Sequence, residues 1–270
     1  MTLNIAHRGA RSLAPENTLA AIRKAWATGA DILEIDVGVS LDGRLIVLHD
    51  ETLQRTTDAG RQFPHRARNP CTTFTLAEIR SLDAGSWFID SDPFGQIAAG
   101  QVSLQELQLF KGAVVPTLEE VLKFVKDTSW RVNIEIKQVP PPLQGFPAAA
   151  AVLQCIERQT VPAKQIIISS FVHDSIRTVH KQRPDIEINA LIGPSIIGPQ
   201  DWGGYEFPIY NACALCTDEE QIRAAHRHGC QVNLYTVNSP AQMQRFIRAG
   251  VRGIFTDFPQ ILSRILAQQN

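Results

Sequence analysis

The chain has 270 residues, 44% of them hydrophobic and 20% charged, with 26 Lys and Arg against 27 Asp and Glu. That composition excludes a disordered chain, a collagen-like chain and a disulfide-dense mini-protein. A net charge of −1 supplies no basic field for nucleic acid or an anionic membrane, so any bound anion must be held by a few local charges.

Five cysteines, an odd number, exclude a complete disulfide framework and point to a reducing compartment. The N-terminus lacks the long apolar stretch of a signal peptide. The longest apolar runs, such as Ile166 to Ile168, are too short to span a bilayer. The expectation is a cytoplasmic enzyme or binding protein, with no nucleic-acid partner and no stable membrane insertion.

Strand-like and helix-like segments alternate along the chain. Leu3 to Ala6 reads as a strand and Asn17 to Thr28 as a helix, stopped by Gly29. Strand-like Ile32 to Val39 and Arg44 to His49 follow, then an irregular polar region whose main insertion spans Gly85 to Gly112. Thr117 to Lys126 reads as a helix, with Thr117 as N-cap and Glu119 and Glu120 in its first turn. The alternation continues with strand Val132 to Lys137, a Val139 to Pro142 loop, helix Pro147 to Arg158, strand Gln165 to Ser170 and helix His173 to Gln182. Strand Glu187 to Ile192 is followed by a Gly/Pro-rich stretch. Strand Ala212 to Cys216, helix Asp218 to His228, strand Gln231 to Val237, helix Pro240 to Ala249, strand Gly253 to Thr256 and helix Gln260 to Ala267 complete the chain.

This alternation predicts a parallel sheet with helical crossovers. Nine strand candidates are one too many for an eightfold barrel. The excess is the pair joined by Ser40 to Arg44, far too short a link for a parallel crossover and carrying an Asp-Gly hairpin signal. The second run therefore folds back antiparallel on the first. The expected architecture is a single-domain α/β fold over 1–270, a (β/α)₈ TIM barrel with the 85–112 insertion over its C-terminal face. An open doubly wound sheet is the alternative. If Asp42-Gly43 is a two-residue turn, paired positions sum to about 85 and Asp36 faces His49.

Four constellations fall at the C-terminal ends of predicted strands, where α/β barrels build active sites. Ala6-His7-Arg8-Gly9 offers an imidazole for proton transfer and a guanidinium fork for phosphate. Glu34 and Asp36 sit at i and i+2 of an apolar strand and share one face. Two buried carboxylates repel unless a proton or cation lies between them. Oxygen-only ligands favour Mg²⁺ or Ca²⁺ over zinc. Asn133, Glu135 and Lys137 align in the same way, so Glu135 completes the cation site and Lys137 neutralises an anion. His49 ends the return strand of the hairpin. Two imidazoles of opposite protonation make a general acid and a general base. A cation with Arg8 and Lys137 stabilises the charge on a pentacoordinate phosphorus. This is equipment for breaking a phosphodiester.

The series His7-Arg8-Gly9, Pro15 to Thr18 (PENT), Glu34 to Val37 (EIDV), Asp42 to Asp50, the following Leu-x-Arg-Thr-Thr and Asn133 to Lys137 (NIEIK) resembles the glycerophosphodiester phosphodiesterase family. Ser169 to Phe171, Val232 to Asn238 and Gly253 to Pro259 agree, so the resemblance covers Ile5 to Pro259. It implies a TIM-barrel hydrolase that splits glycerophosphodiesters into glycerol 3-phosphate and an alcohol with one divalent cation. By motif, Glu34, Asp36 and Glu135 match metal ligands, His7 and His49 the acid/base pair, and Arg8 and Lys137 phosphate contacts. Phe171 and Tyr235 match positions near the substrate's glycerol. Tyr235 departs from the usual Trp, and the 85–112 stretch is longer than usual, which implies a lid or small subdomain. The motifs leave open which His is the acid, and whether water or the glycerol 2-hydroxyl attacks.

Two rival expectations stand beside this one. A phospholipase D-like lyase would release cyclic phosphates from lysophospholipids; a barrel without catalysis would only bind phosphate ligands. Elsewhere the plainer reading leads. Cys213 and Cys216 read as core cysteines, and His226 and His228 as a helix end suited to positive charge. His65 reads as a surface residue; Glu16 and Asn17 are candidates for supporting the site from the first βα loop, although a helix cap is the simpler reading of Asn17. For Asp257, orienting a barrel-mouth group and capping a turn are equally supported.

Overall fold

The computed structural model describes residues 1–193 and 200–268. Most of the Gly/Pro-rich stretch after Ile192 lies outside them. Nine strands occur among the described residues: β1 (Leu3–Ala6), β2 (Ile32–Val39), β3 (Leu45–Val47), β4 (Arg131–Ile136), β5 (Ile166–Ser170), β6 (Glu187–Ile192), β7 (Ile209–Cys213), β8 (Gln231–Tyr235) and β9 (Gly253–Thr256). Eight pair in parallel in the order β1-β9-β8-β7-β6-β5-β4-β2, and a β1–β2 pairing closes the ring. The expected (β/α)₈ barrel is therefore formed, and the open sheet is excluded.

The ninth strand is the hairpin return, antiparallel to β2. One edge of β2 pairs with β4 from Ile32 to Val37. The other edge is shared: β1 takes Ile32 and Leu33, and β3 takes Val37 to Val39. The register differs from expectation by one residue. Val37 faces Val47 and Val39 faces Leu45, and the Leu48 amide donates to the Asp36 carbonyl at 3.0 Å. The cause is a three-residue loop, Leu41-Asp42-Gly43, closed by the Ser40 amide on the Arg44 carbonyl. Gly43 takes φ +73°, the left-handed position such loops need. Asp36 is thus opposite Leu48 rather than His49.

Pleating sorts the side chains. On β2, Leu33, Ile35 and Val37 face the helices with Val132, Ile134 and Ile136 of β4. Ile5, Ile32, Ile167 and Phe255 pack together inside the barrel. Buried Asn133, Ser169, Asn189, Asn211 and Asn233 also occupy alternate strand positions. Asn133 donates to Ser169 and Asn233 to Asn211. This polar interior displaces one expected strand. The apolar run Ala212 to Cys216 suggested a start at Ala212, but β7 begins at Ile209, with Asn211 buried in the barrel and its Oδ1 accepting from Asn233 Nδ2 at 2.8 Å. At the barrel's other end Glu187 holds both Arg131 and Arg252, at 2.9 and 2.8 Å.

The connection from β3 to β4 departs most from expectation. Residues 85–112 are not irregular: they hold helices Ser86–Ser91 and Leu104–Phe110, the second opened by a Ser103–Glu106 capping box. Residues 53–84 build a second core against the hairpin, with Leu53, Phe74, Ile79 and Leu82 packed on Ile46 and Leu48. The ends of the 85–112 excursion are tied, the Ala84 amide donating to the Ala113 carbonyl at 2.6 Å.

That tie predicts a sensitive glycine. A Cβ on Gly85 would sit 1.8 Å from the Phe110 carbonyl oxygen, so backbone must move. Gly85→Ala is expected to lower stability by roughly 1–3 kcal/mol, the usual cost of overpacking. Gly60→Ala, with nothing within 4 Å of its Cβ, should change it by less than about 0.5 kcal/mol. Urea unfolding midpoints of the two variants check the contrast.

Candidate active site

Four chain segments deliver the chemistry. β1 ends at Ala6, and the His7 amide caps the Thr256 carbonyl of neighbouring β9 at 3.1 Å. The chain then turns through Arg8 and Gly9, both left-handed at φ +56° and +82°. Gly9 has no alternative, because a Cβ there would lie 2.8 Å from Ala21. Arg8 is held in a conformation a non-glycine residue rarely adopts. The turn directs its backbone N–H onto Glu34 Oε2 at 2.7 Å. Its side chain meanwhile reaches Glu16 Oε1 at 2.9 Å and Asp36 Oδ2 at 3.4 Å.

Glu34, Asp36 and Glu135 converge as expected: one oxygen of each lies within 4.8 Å of the others. Glu34 and Asp36 are 2% and 1% exposed. Lys137 Nζ lies 2.9 Å from Glu135 Oε1 and 3.5 Å from Asp36 Oδ1. Burial, then the charges of Asp36 and Glu135, pushes the Glu34 carboxyl well above its ordinary value. Burial and then Asp36 raise Glu135. For Asp36 burial acts upward too, but Arg8, Lys137 and His49 outweigh it and hold the group well below the usual carboxylate range. Asn17 Nδ2 donates to Asp36 Oδ2 at 2.9 Å. The residue read as a helix cap therefore supports the site, while Thr18 is the N-cap of helix Leu19–Ala27.

The donor set fits a hard divalent cation. Three carboxylates meet in a largely buried space, and two of them are driven toward protonation by burial and then by their neighbours. A dication removes that repulsion.

Both imidazoles are held in the same way. His7 Nδ1 lies 2.7 Å from Asp257 Oδ1, and His49 Nδ1 lies 2.7 Å from Asp50 Oδ1. Asp257 accepts from Asn238 Nδ2 at 2.7 Å and lies 3.4 Å from Arg11 Nη1. Asp50 accepts from Arg55 Nε at 2.6 Å and Nη2 at 2.8 Å. Of the two roles weighed for Asp257, orienting a barrel-mouth group is the one the geometry supports. Burial first, and then the charge of Arg8, lowers the His7 pKa, against the pull of Asp257. His49 reaches the site despite the slipped register because β3 stops at Val47 and the chain leaves the pleat before residue 49.

A cleft of about 200 Å³ opens beside the carboxylates, lined by His49, Glu135, Lys137, Val39, Val139 and Phe171 among others. Phe171 meets Tyr235 edge to face at 6.1 Å. The Tyr235 hydroxyl donates to the Ile192 carbonyl at 3.0 Å and Tyr235 does not line this cleft, so its departure from Trp adds no polar group there. Residues 85–112 do not line it either. They touch the site's support instead, where the Phe94 ring lies 5.3 Å from the Arg11 guanidinium. His65 is exposed, Cys213 is buried and His228 is the C-cap of helix Glu219–Arg227, as their plainer readings had it, whereas Cys216 is only partly buried because it stands beyond the end of β7. Sequence reasoning gave no role to Arg11, Arg55, Asp50 and Asn238. Arg55, Asp50 and Asn238 each stood inside a motif quoted for the resemblance, which was the available signal.

The glycerophosphoryl diester phosphodiesterase family matches residues 7–261. A glycerophosphodiester phosphodiesterase of Caldanaerobacter subterraneus subsp. tengcongensis is 34% identical over 98% of both chains. One from Bacillus subtilis is 32% identical over 97% of this chain and 86% of its own. Among solved structures, an Oleispira antarctica phosphodiesterase in complex with the product sn-glycerol-3-phosphate superposes with TM-score 0.78 at 25% identity, covering 97% of this chain and 96% of that one. The Agrobacterium tumefaciens glycerophosphodiester phosphodiesterase gives TM-score 0.72 at 27% identity, covering 98% of this chain and all of that one. Matched in sequence across its length and in the closed barrel that carries the site, the chain belongs to the glycerophosphoryl diester phosphodiesterase family.

Proposed function

We propose that the protein hydrolyses glycerophosphodiesters to glycerol 3-phosphate and an alcohol, with one divalent cation, Mg²⁺ or Ca²⁺, held by Glu34, Asp36 and Glu135. The observation that carries this reading is the pairing of two imidazoles, each fixed through Nδ1 by a carboxylate at 2.7 Å, with a three-carboxylate cradle. When bound, the cation supplies Lewis-acid stabilisation of phosphoryl charge.

The chain's own groups supply the rest. Arg8 and Lys137 hold the phosphate oxygens, with Phe171 bounding the space for the glycerol and Tyr235 backing the Phe171 ring edge to face. Because Nδ1 of each ring is engaged, Nε2 is the atom that carries the transferred proton. His7, kept neutral by burial and Arg8, accepts the proton of the nucleophile. His49, which lines the cleft, donates to the leaving alcohol. The chain works as one barrel domain with 85–112 as an excursion packed beside its mouth. No helix among the described residues is long and apolar enough to cross a membrane. The odd cysteine count, with Cys71, Cys155, Cys213 and Cys230 buried, supports a reducing, cytoplasmic setting.

Chelated protein should be inactive on glycerophosphocholine and regain activity with added Mg²⁺ or Ca²⁺. Phosphorus NMR should show glycerol 3-phosphate as the product, and a cyclic phosphate as end product would overturn the hydrolysis. His7→Ala and His49→Ala should each lower turnover by roughly 10²–10⁴-fold, and near-full activity in both would sink the assignment.

Cation affinity should rise with pH. The raised Glu34 and Glu135 carboxyls must lose their protons before they ligate, so binding releases protons and weakens in acid. Calorimetry in buffers of different ionisation enthalpy reads the proton release.

Asp257 pulls the His7 pKa upward. Asp257→Asn removes that pull, so the limb of the pH–rate profile governed by His7 should move further to lower pH. An unchanged profile would detach His7 from the chemistry.

A further inference from the structure

The two imidazoles stand on separate strand ends, one after β1 and the other after β3, yet their supports meet in one side chain. Glu16 is 4% exposed. Its Oε1 accepts from Arg8 Nη1 at 2.9 Å and Arg55 Nη2 at 2.8 Å. Its Oε2 lies 2.8 Å from Arg11 Nη2 and accepts from Arg55 Nη1 at 3.0 Å. Arg11 also reaches Asp257, which holds His7. Arg55 also grips Asp50, which holds His49. Burial acts to raise the Glu16 carboxyl, but the Arg55 hydrogen bonds and the charges of Arg8 and Arg11 win and take it down to about 2. It is therefore an anion at any working pH. Three guanidiniums on one buried carboxylate would repel one another without it, and charge-assisted forks of this kind fix direction as well as distance.

We infer that Glu16 is a positioning residue that sets both imidazoles in one frame, through Arg11 and Asp257 to His7 and through Arg55 and Asp50 to His49. The inference rests on the roles given above to His7 and His49. Proton transfer at two ends of one phosphodiester needs both Nε2 atoms placed relative to each other. A shared anchor couples their positions where two separate supports would let them drift apart. Phe94 of the 85–112 excursion, stacked over Arg11, braces the His7 arm from outside.

The test begins with wild-type protein and Mg²⁺ on glycerophosphocholine. Inactivity there would defeat the proposed function and not the frame. Given activity, Glu16→Gln should lower kcat by about 30–300-fold, the scale of an ångström-sized misplacement. KM and the calorimetric Mg²⁺ affinity should stay within about threefold, because Arg8 keeps its backbone bond to Glu34 and its contact with Asp36.

Arg11→Lys and Arg55→Lys cut one arm each. On a glycerophosphodiester with a 4-nitrophenyl leaving group, which needs no protonation, Arg55→Lys should recover most of its lost rate and Arg11→Lys should not. Adding both Arg substitutions to Glu16→Gln should cost little more than Glu16→Gln alone, since groups in one network are not additive. Equal losses on the two substrates, or losses that multiply in the triple variant, would reduce Glu16 to a structural role and overturn the inference. If Glu16→Gln fails to fold, the two Arg variants and their double variant carry the same comparison.

Discussion

The site is governed by the repulsion of three carboxylates. Glu34 and Asp36 are forced onto one buried face by the two-residue period of a strand, and Glu135 meets them from the next strand over. Bringing like charges together out of water is costly unless each is answered. Arg8 and Lys137 answer part of it, and both lean on Asp36. Three formal negatives against two positives leave one unmatched; burial first, and then that repulsion, drives the two glutamates toward protonation, while Arg8, Lys137 and His49 outweigh burial at Asp36. A dication in the same space leaves a single positive charge. That is the complement of a phosphodiester monoanion and a poorer match for a monoester dianion.

The backbone makes this arrangement by simple means. Parallel strands end together at one rim, so residues one or two places past or before a strand end share a mouth although they are far apart in sequence. His7 and Asp257 are separated by 250 positions and become neighbours because β1 and β9 are the pair adjacent to the ring closure. The left-handed Arg8 does a second job: its amide is spent on Glu34 while its guanidinium reaches past to Glu16 and Asp36. The cost of that conformation is repaid by three anions satisfied from one residue.

The parts of this fold that follow local periodicity were legible in the sequence, and the parts set by distant partners were not. Alternation located β1, β2, β6 and β9 within their observed bounds, and the i, i+2 rule put Glu34 and Asp36 on one face. The hairpin was legible as a hairpin, but its register was not, because Asp-Gly serves both a two-residue turn and a three-residue loop with Gly43 left-handed. Start positions failed where the barrel interior is polar, as at Asn211, since an inward Asn reads like a break. Asn17 looked like a cap because Asn caps helices well; that Asp36 claims its amide depends on a strand 19 residues later. Arg11 carries no local pattern, and Arg55 only its place in the Leu-x-Arg-Thr-Thr run. Their meaning lies in Glu16, Asp257 and Asp50 together.

The two imidazoles are not equivalent, although their carboxylate partners are alike. The His7 side chain is 13% exposed and that of His49 is 32% exposed. His7 is mounted on barrel strands, since its own amide is bonded into β9 and its partner Asp257 is fixed by Asn238 through side chain and backbone. His49 stands on a turn after a three-residue strand, beside an open cleft. A group that must stay neutral and be aimed at an incoming nucleophile is served by low dielectric and a rigid mount. A group that hands a proton to a departing alcohol is served by facing the space into which the alcohol leaves. The asymmetry of burial therefore follows the direction of the proposed reaction, from the barrel wall at His7 to the mouth at His49.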